Sequence, residues 1–362
     1  MKLAAANSIK PGATLARTIY SEHGSVLLVK GVKISRTMLD RLINQGITYV
    51  FIDDELTKDI YVEPVISEKT RSRASKTIED TFLNISRNGL SETKSYLLND
   101  KKDEFGEIAD ELINSIMSYG KSISLLADIY VSDNYIFQHS LNVAIYATSI
   151  GLKLKMPSEK LSELAVGAML HDVGKIFIDP DILNKTGPLT EEEYTIMKTH
   201  AEIGYNYLRT QREYPAVIAH CAYQHHERLD GTGYPRGLKG NEIITPAKII
   251  AIADVFDAVT SNRVYRKAML PHEGLEMIYA GAASIFDTTM VEAFRKSIIA
   301  YPEGLFVVLS DGSEGVVIRQ NKHLCDRPVI RIIKENGEPL DIPYEIDLGT
   351  KMNLTIKEVL RD

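Results

Sequence analysis

Over the first 64 residues, short apolar runs flank one amphipathic stretch. SVLLV follows His23-Gly24 and ITYVFI follows Gly46, and each reads as a strand bounded by turn residues. Between them, Met38, Leu39, Leu42 and Ile43 recur at helical spacing in the stretch from Ser35 to a stop at Gly46, which predicts a short helix. Strand, helix and strand together predict a small α/β domain over 1–64. From 65 to 128 the pattern is polar and helical, with the charge runs SEKTRSRASK and NDKKDEFGEIAD, and little core is expected before Ile113, Ile116, Ile123 and Leu126. This segment reads as a helical connector, with a solvated linker as the alternative for its first half.

Residues 129–302 run helix after helix with well-marked starts. Thr190 followed by Glu193 has capping-box spacing, and Pro215 and Pro246 stand where first-turn prolines are tolerated. Past Tyr301-Pro302 the period changes to that of strands: LFVVL, the turn SDGS, GVVI, PVIRII, then the turn Asn336-Gly337. The fold class expected is therefore mainly α: an all-α core over 129–302, a small N-terminal α/β domain, and a small β domain over 303–362.

Composition narrows the function classes. The net charge is −7, which argues against a nucleic-acid polymer as partner because no broad basic face is available. No apolar run approaches the roughly 20 residues that span a bilayer, and MKLAAANSIKPG is too short in apolar residues for a secretory segment. The two cysteines, Cys221 and Cys325, lie far apart without CxxC spacing, so both are expected as free thiols and the chain as cytoplasmic.

The candidate chemistry lies in the helical core. His139, His171, His200, His225 and His226 sit at positions that look placed rather than scattered, and Asp172 follows His171 directly. Asp254 and Asp257 share a helix face inside the apolar run IIAIADVFDAV, where ionised carboxylates cost several kcal/mol each unless a cation or donor meets them. Ile218, Cys221, Ala222 and His225 share one face, so His225 points inward. His226 lies about 100° round the helix near its end, and His220 about 140° from His225, outside the site. His139 shares a face with Asn142, Val143 and Tyr146, and His200 is expected on the helix that Thr190 opens. Imidazole and carboxylate donors spread over five helices, with no thiolate, suit a multinuclear site of Fe, Mn or Zn.

The string His171-Asp172-Val173-Gly174-Lys175-Ile176 resembles the signature of HD-domain phosphohydrolases. HHERLDGTGYPRGLKG, residues 225–240, is similar to the loop of their HD-GYP subgroup, with Gly233-Tyr234-Pro235 as its name triplet, and PAKIIAIADVFDAVTSNRVYR, residues 246–266, also matches. The resemblance covers about half of the chain. It implies an HD-type helical core and a metal-dependent phosphodiesterase that opens cyclic di-GMP to linear pGpG, with cleavage on to GMP as a further step, by attack of a water activated between two metals. It implies one metal held by His139, His171, Asp172 and Asp254, and a second held by Asp172, His200, His225 and His226. Some members carry a glutamate four residues before the first histidine and a third metal; Tyr135 stands there, so two metals are expected and Asp257 becomes an outer ligand. Lys175, four residues after His171, could place its ammonium on a phosphate oxygen. Arg263 and Arg266 could clamp a phosphate, and Tyr234 with Pro235 could pack on a base; helix-end, surface and turn roles remain the alternatives for these residues. A receptor without turnover, and a phosphodiesterase for another cyclic dinucleotide, stay open beside this reading. Protein partners through the flanking domains and a homodimer through the connector are further expectations.

Overall fold

The protein is seen in a computed structural model that describes residues 1–21, 26–44, 47, 49–60, 64–88, 96–120, 122–123, 130–131, 135–185, 187–261, 268–321 and 324–360. In the N-terminal region β1 (Lys2–Ala5), β2 (Ile19–Ser21), β3 (Val26–Leu28), α1 (Arg36–Asn44) and β4 (Tyr49–Ile52) follow one another. β1 pairs antiparallel with β4, and β2 pairs antiparallel with β3 and parallel with β5 (Tyr130–Val131), which comes from farther along the chain. Leu39 and Leu42 of α1 are buried with Ile34, Ile47 and Val50, and Met38 packs against them. Ile43 does not belong to that stripe, because it lies on the α1 face turned to solvent and is 39% exposed. His23, Gly24 and Gly46, the expected turn and stop residues, lie outside the described residues.

The helical body comprises α2 (Glu68–Asn88), α3 (Tyr96–Asn99), α4 (Lys102–Tyr119), α5 (Tyr135–Lys153), α6 (Ser158–Leu170), α7 (Pro180–Leu183), α8 (Glu191–Lys198), α9 (His200–Leu208), α10 (Ala216–Gln224), α11 (Thr245–Thr260), α12 (Pro271–Ala280) and α13 (Thr288–Arg295). α11 is apolar nearly all round, and such a helix has to be enclosed. α5, α6, α10, α12 and α13 pack against it, and Phe256 sits edge-on to Tyr146 at 5.1 Å and to Phe294 at 4.9 Å. α8 is closed by the expected capping box: the Glu193 N–H donates to Thr190 Oγ1 at 3.2 Å, and the Thr190 N–H to Glu193 Oε2 at 2.7 Å.

One expectation is corrected in this body. The segment expected to bring little core before Ile113 contributes Ala74, Ile78, Phe82, Ile85, Phe105, Ile108 and Leu112 to the same apolar cluster as α5, α6 and α11. Ala74, Ile78, Phe82 and Ile85 form a seam on α2 at four-, four- and three-residue spacing, Arg71 extends it toward the start of the helix, and most other charged residues of α2 occupy its other faces.

The chain ends in β6 (Phe306–Leu309), β7 (Glu314–Arg319), β8 (Val329–Glu335), β9 (Glu338–Asp347) and β10 (Ile356–Leu360), and all neighbours in the order β10-β6-β7-β8-β9 are antiparallel. The β8–β9 hairpin turns at Asn336 and Gly337, whose φ angles of 50° and 82° are the left-handed values that Asn-Gly supplies. The two ends of the chain share a core: Met1, Leu3, Tyr49 and Phe51 pack with Leu305, Val307, Leu309, Val317, Ile330 and Ile332, and Leu270 joins them from the helical body. The Met1 amino group donates to the Thr57 carbonyl, and Arg331 forks onto Asp59 at 2.6 and 2.8 Å. Among the described residues no helix is long and apolar enough to cross a membrane.

Candidate metal centre

Five helices deliver the predicted donors to one buried point. α5 carries His139 one turn in; α6 stops at Leu170, and His171 and Asp172 follow; α9 opens with His200; α10 ends into His225 and His226; α11 carries Asp254 and Asp257. His139, His171, Asp172, His200, His225 and Asp257 are each no more than 1% exposed. His200 is not on the helix that Thr190 opens. That helix stops at Lys198, because the Thr199 N–H and hydroxyl both turn back to the Ile196 carbonyl, and His200 starts the next one. Gly174 lets these parts meet: a Cβ there would lie 2.0 Å from the His200 carbonyl oxygen, so only glycine lets the turn after Asp172 rest against α9.

The rings are oriented from behind. His171 Nδ1 faces the Ala168 carbonyl at 2.7 Å, His200 Nδ1 the Met197 carbonyl at 2.7 Å, and His225 Nδ1 the Ala222 carbonyl at 2.9 Å. A carbonyl only accepts, so Nδ1 carries the proton in all three rings and each Nε2 turns its lone pair to the centre. There His200 Nε2 and His225 Nε2 face each other at 3.4 Å, and Asp172 Oδ1 lies 3.4 and 3.6 Å from them. Among the described residues, buried His171 Nε2 and Asp172 Oδ1 have no hydrogen-bond partner. Lone pairs converging in a dry interior are costly unless a cation lies among them, so these residues fit a metal. Two donor groups could hold one, Asp172 with His200, His225 and His226, and His139 with His171 and Asp254, the atoms of each lying within 4.8 Å of one another.

The charge states of His171, His200 and His226 agree with that use. Burial holds His171 down to about 4 and His200 to about 3, so both stay neutral at pH 7 and able to ligate. Burial likewise holds His226 well below the usual imidazole range. His139 goes the other way: burial opposes its charge, but Asp254 at 3.0 Å and Asp257 at 2.7 Å hold it up at about 9. Burial also opposes the charge on Asp172, yet His171 and Lys175 keep its carboxyl far below the usual range. Asp254 is likewise kept well below the usual range, against its burial, by His139 and His226.

Lys175 does not continue the His171 face of a helix. The chain tightens to a 3-10 turn over Val173–Phe177, so the Lys175 ammonium swings onto Asp172 Oδ2, with the side chain 21% exposed. Tyr234 stacks on His226 at 4.6 Å, and the neighbouring Pro235 is exposed. Gly233 permits this, because a Cβ there would lie 2.5 Å from the His226 carbonyl oxygen and the Glu227 Cα. His220 is turned away from the site onto Tyr205, at 5.2 Å. Arg263 and Arg266 lie outside the described residues, as does the side chain of Tyr135. Sequence reasoning missed Glu227, whose buried carboxylate accepts the N–H groups of Arg236 at 2.8 Å and Leu238 at 2.9 Å and so folds the 225–240 loop. Its signal was available: an acid directly after paired histidines at a helix end.

A helical body that buries imidazoles and carboxylates from five helices defines a class of metal-site proteins. Residues 97–290 match the HD domain family, and residues 306–362 the KOW domain associated with HD domain. The chain belongs to the HD domain family, in its HD-GYP subgroup. It is 32% identical over 244 residues to a cyclic di-GMP phosphodiesterase of Pseudomonas aeruginosa, covering 67% of this chain and 59% of the relative. It is 32% identical over 242 residues to a cyclic di-GMP phosphodiesterase of Thermotoga maritima, covering 66% and 64%. It is 36% identical over 166 residues to a 3'3'-cGAMP-specific phosphodiesterase of Vibrio cholerae, covering 46% and 38%. The chain thus spans less than two thirds of each of these relatives.

Proposed function

We propose that this chain is a cytoplasmic, metal-dependent phosphodiesterase that opens cyclic di-GMP to linear pGpG, with cleavage on to GMP as a further step. The observation that carries the reading is the pair of Nε2 lone pairs facing each other at 3.4 Å beside Asp172, a geometry that makes sense around a cation. Two ions are assigned. His139, His171, Asp172 and Asp254 would hold one, and Asp172, His200, His225 and His226 the other, with Asp172 shared. Imidazole and carboxylate donors without thiolate suit Fe or Mn first and Zn next. When bound, such ions lower the pKa of water and neutralise charge on a phosphodiester.

The chain's own residues do the rest. Asp172 and Asp254 remain ionised and Nδ1-protonated histidines stay fixed, so the donor cage needs no rearrangement when substrate arrives. Lys175, at the edge of the cage, is free to exchange Asp172 for a non-bridging phosphate oxygen. Tyr234 with Pro235 would take a base, while its ring over His226 keeps water from that side. Arg263 and Arg266, following α11, would clamp the second phosphate.

The substrate assignment draws on the names of the relatives at 32% identity, and the cGAMP-specific relative at 36% supports a second reading in which 3'3'-cGAMP is preferred. Protein loaded with Fe, Mn or Zn is assayed by chromatography on cyclic di-GMP, 3'3'-cGAMP and cyclic di-AMP, after elemental analysis. Two ions per chain and fastest release of pGpG are expected. Faster cleavage of 3'3'-cGAMP selects the second reading, and ion-loaded protein that cuts none of the three overturns both.

A further inference from the structure

His139 differs from the other buried histidines in what holds it. His171, His200 and His225 have Nδ1 fixed by backbone carbonyls, which a helix keeps in place. His139 Nδ1 is fixed by a side chain, Asp257 Oδ2 at 2.7 Å, and a carboxylate on rotatable bonds needs a brace of its own. The brace is present. Asp257 Oδ1 accepts from Ser261 Oγ at 2.9 Å and from Asn142 Nδ2 at 2.9 Å. Asn142 Oδ1 in turn accepts from Gln138 Nε2 at 3.0 Å and from Arg71 Nη1 at 3.4 Å.

Donor and acceptor chemistry allows this chain only one direction. A guanidinium only donates, so Asn142 must show Arg71 its oxygen, and its NH2 is thereby aimed at Asp257. A flipped amide would set NH2 against N–H at one end and oxygen against carboxylate at the other. Arg71 is 2% exposed, and a guanidinium that deep is costly unless its hydrogen bonds are used. It stands on α2, before the residues that match the family, and α2 packs on α5, which carries both Asn142 and His139.

We propose that Arg71 is a positioning residue for the metal centre: through Asn142 it fixes the carboxylate of Asp257, and Asp257 fixes the ring of His139 so that Nε2 faces the ion site. The inference rests on the reading of His139 as a ligand. It connects the helix that follows the N-terminal region to one of the two donor groups and leaves the other group, centred on His200 and His225, untouched.

The test is titration of metal-free full-length protein with Mn2+ by calorimetry and chelator competition, in parent, Arg71→Met and Arg71→Lys. Loss of an outer partner of a metal-bound histidine costs about 10- to 100-fold in affinity. Arg71→Met is expected to weaken one of the two binding steps at least tenfold, leave the other within about twofold, and shift the His139 ring nitrogen resonances. Arg71→Lys, which keeps a donor and a charge, is expected to recover most of that affinity. Unchanged Mn2+ binding in folded Arg71→Met overturns the proposal, and so does an equal weakening of both steps that Arg71→Lys fails to rescue, because that is a packing effect. Should Arg71→Met fail to fold, Asn142→Ala carries the same prediction at a half-buried position. Parent protein that binds two ions yet cleaves no cyclic dinucleotide defeats the proposed function alone; parent protein that binds none defeats both.

Discussion

The core shared by the two chain ends and the donor cluster in the helical body are both buried, and they are built on opposite principles. In the first, Met1, Leu3 and Phe51 meet Leu305, Val307 and Ile330 through apolar side chains. Polar groups beside that core find partners: the Met1 amino group donates to Thr57, and Arg331 forks onto Asp59. In the second, imidazoles crowd a carboxylate, His225 and His226 ring centres lie 4.0 Å apart, and buried Asp172 Oδ1 and His171 Nε2 find no hydrogen-bond partner among the described residues. The first region is what area burial alone would select. The second gives up stability at a site that something else must complete, which is how the position of chemistry is told from the position of scaffolding.

Two substitutions would break that contrast if it is wrong, and the larger effect is expected in the cluster. Asp172→Ala removes the one carboxylate assigned to both ions. Turnover of cyclic di-GMP is expected to fall by at least about 10³-fold, with metal content below that of the parent and helical circular dichroism retained. Unchanged metal stoichiometry in that variant would remove Asp172 from its shared position. Leu305, 1% exposed between the two chain ends, carries no chemistry. Leu305→Ala is expected to lower stability by about 2–5 kcal/mol in urea unfolding, the range for a large-to-small change in a packed core, while metal content stays at the parent value. A Leu305→Ala protein that unfolds like the parent would mean that the two ends do not share a core in solution.

What the sequence made legible follows the same division. The donor cluster could be read because His139, His225, Asp254 and Asp257 interrupt strongly apolar helical faces, where a polar residue is conspicuous. The helical character of 68–119 could be read, but not its burial: Ala74, Ile78, Phe82 and Ile85 are few, and the charged residues between them set the average. Within the expected β domain, β9 and β10 were not delimited individually because both are sheet edges, and an edge strand such as EPLDIPYEID is exposed along most of its length and shows little alternation. The shared core of the chain ends was out of reach, since it joins residues some 300 positions apart and neither partner's pattern names the other. Arg71 was hidden in a charge run for a related reason. A buried arginine among exposed ones differs from them only in what it meets.

The smallest effect expected is in pH, and it separates the two regions by the pH window in which each responds. In the unfolded chain histidine titrates near about 6.5, whereas folded His171 and His200 titrate at about 4 and about 3. As pH falls below 6.5 the unfolded state takes up these protons first, so their contribution to stability drains away until pH 4 and then 3. His139, held at about 9 mainly against burial by Asp254 and Asp257, behaves oppositely: its contribution is complete below 6.5 and is lost as pH rises through 9. Metal-free protein is therefore expected to melt highest near pH 6.5 and lower on both sides, by about 5 °C at pH 4.5. Asp59 supplies the contrast. Hydrogen bonding to Arg331 holds it at about 2, so what it contributes is present above about 3.8 and lost only as pH falls through 2. Its side chain is 61% exposed, so solvent and salt screen the pair and Asp59→Asn should cost no more than about 1 kcal/mol. Melting curves of the metal-free parent and Asp59→Asn at pH 4.5, 6.5 and 9 should then run parallel. A difference between them that narrows toward pH 4.5 would place the acid-sensitive groups at the chain ends and not in the histidine cluster.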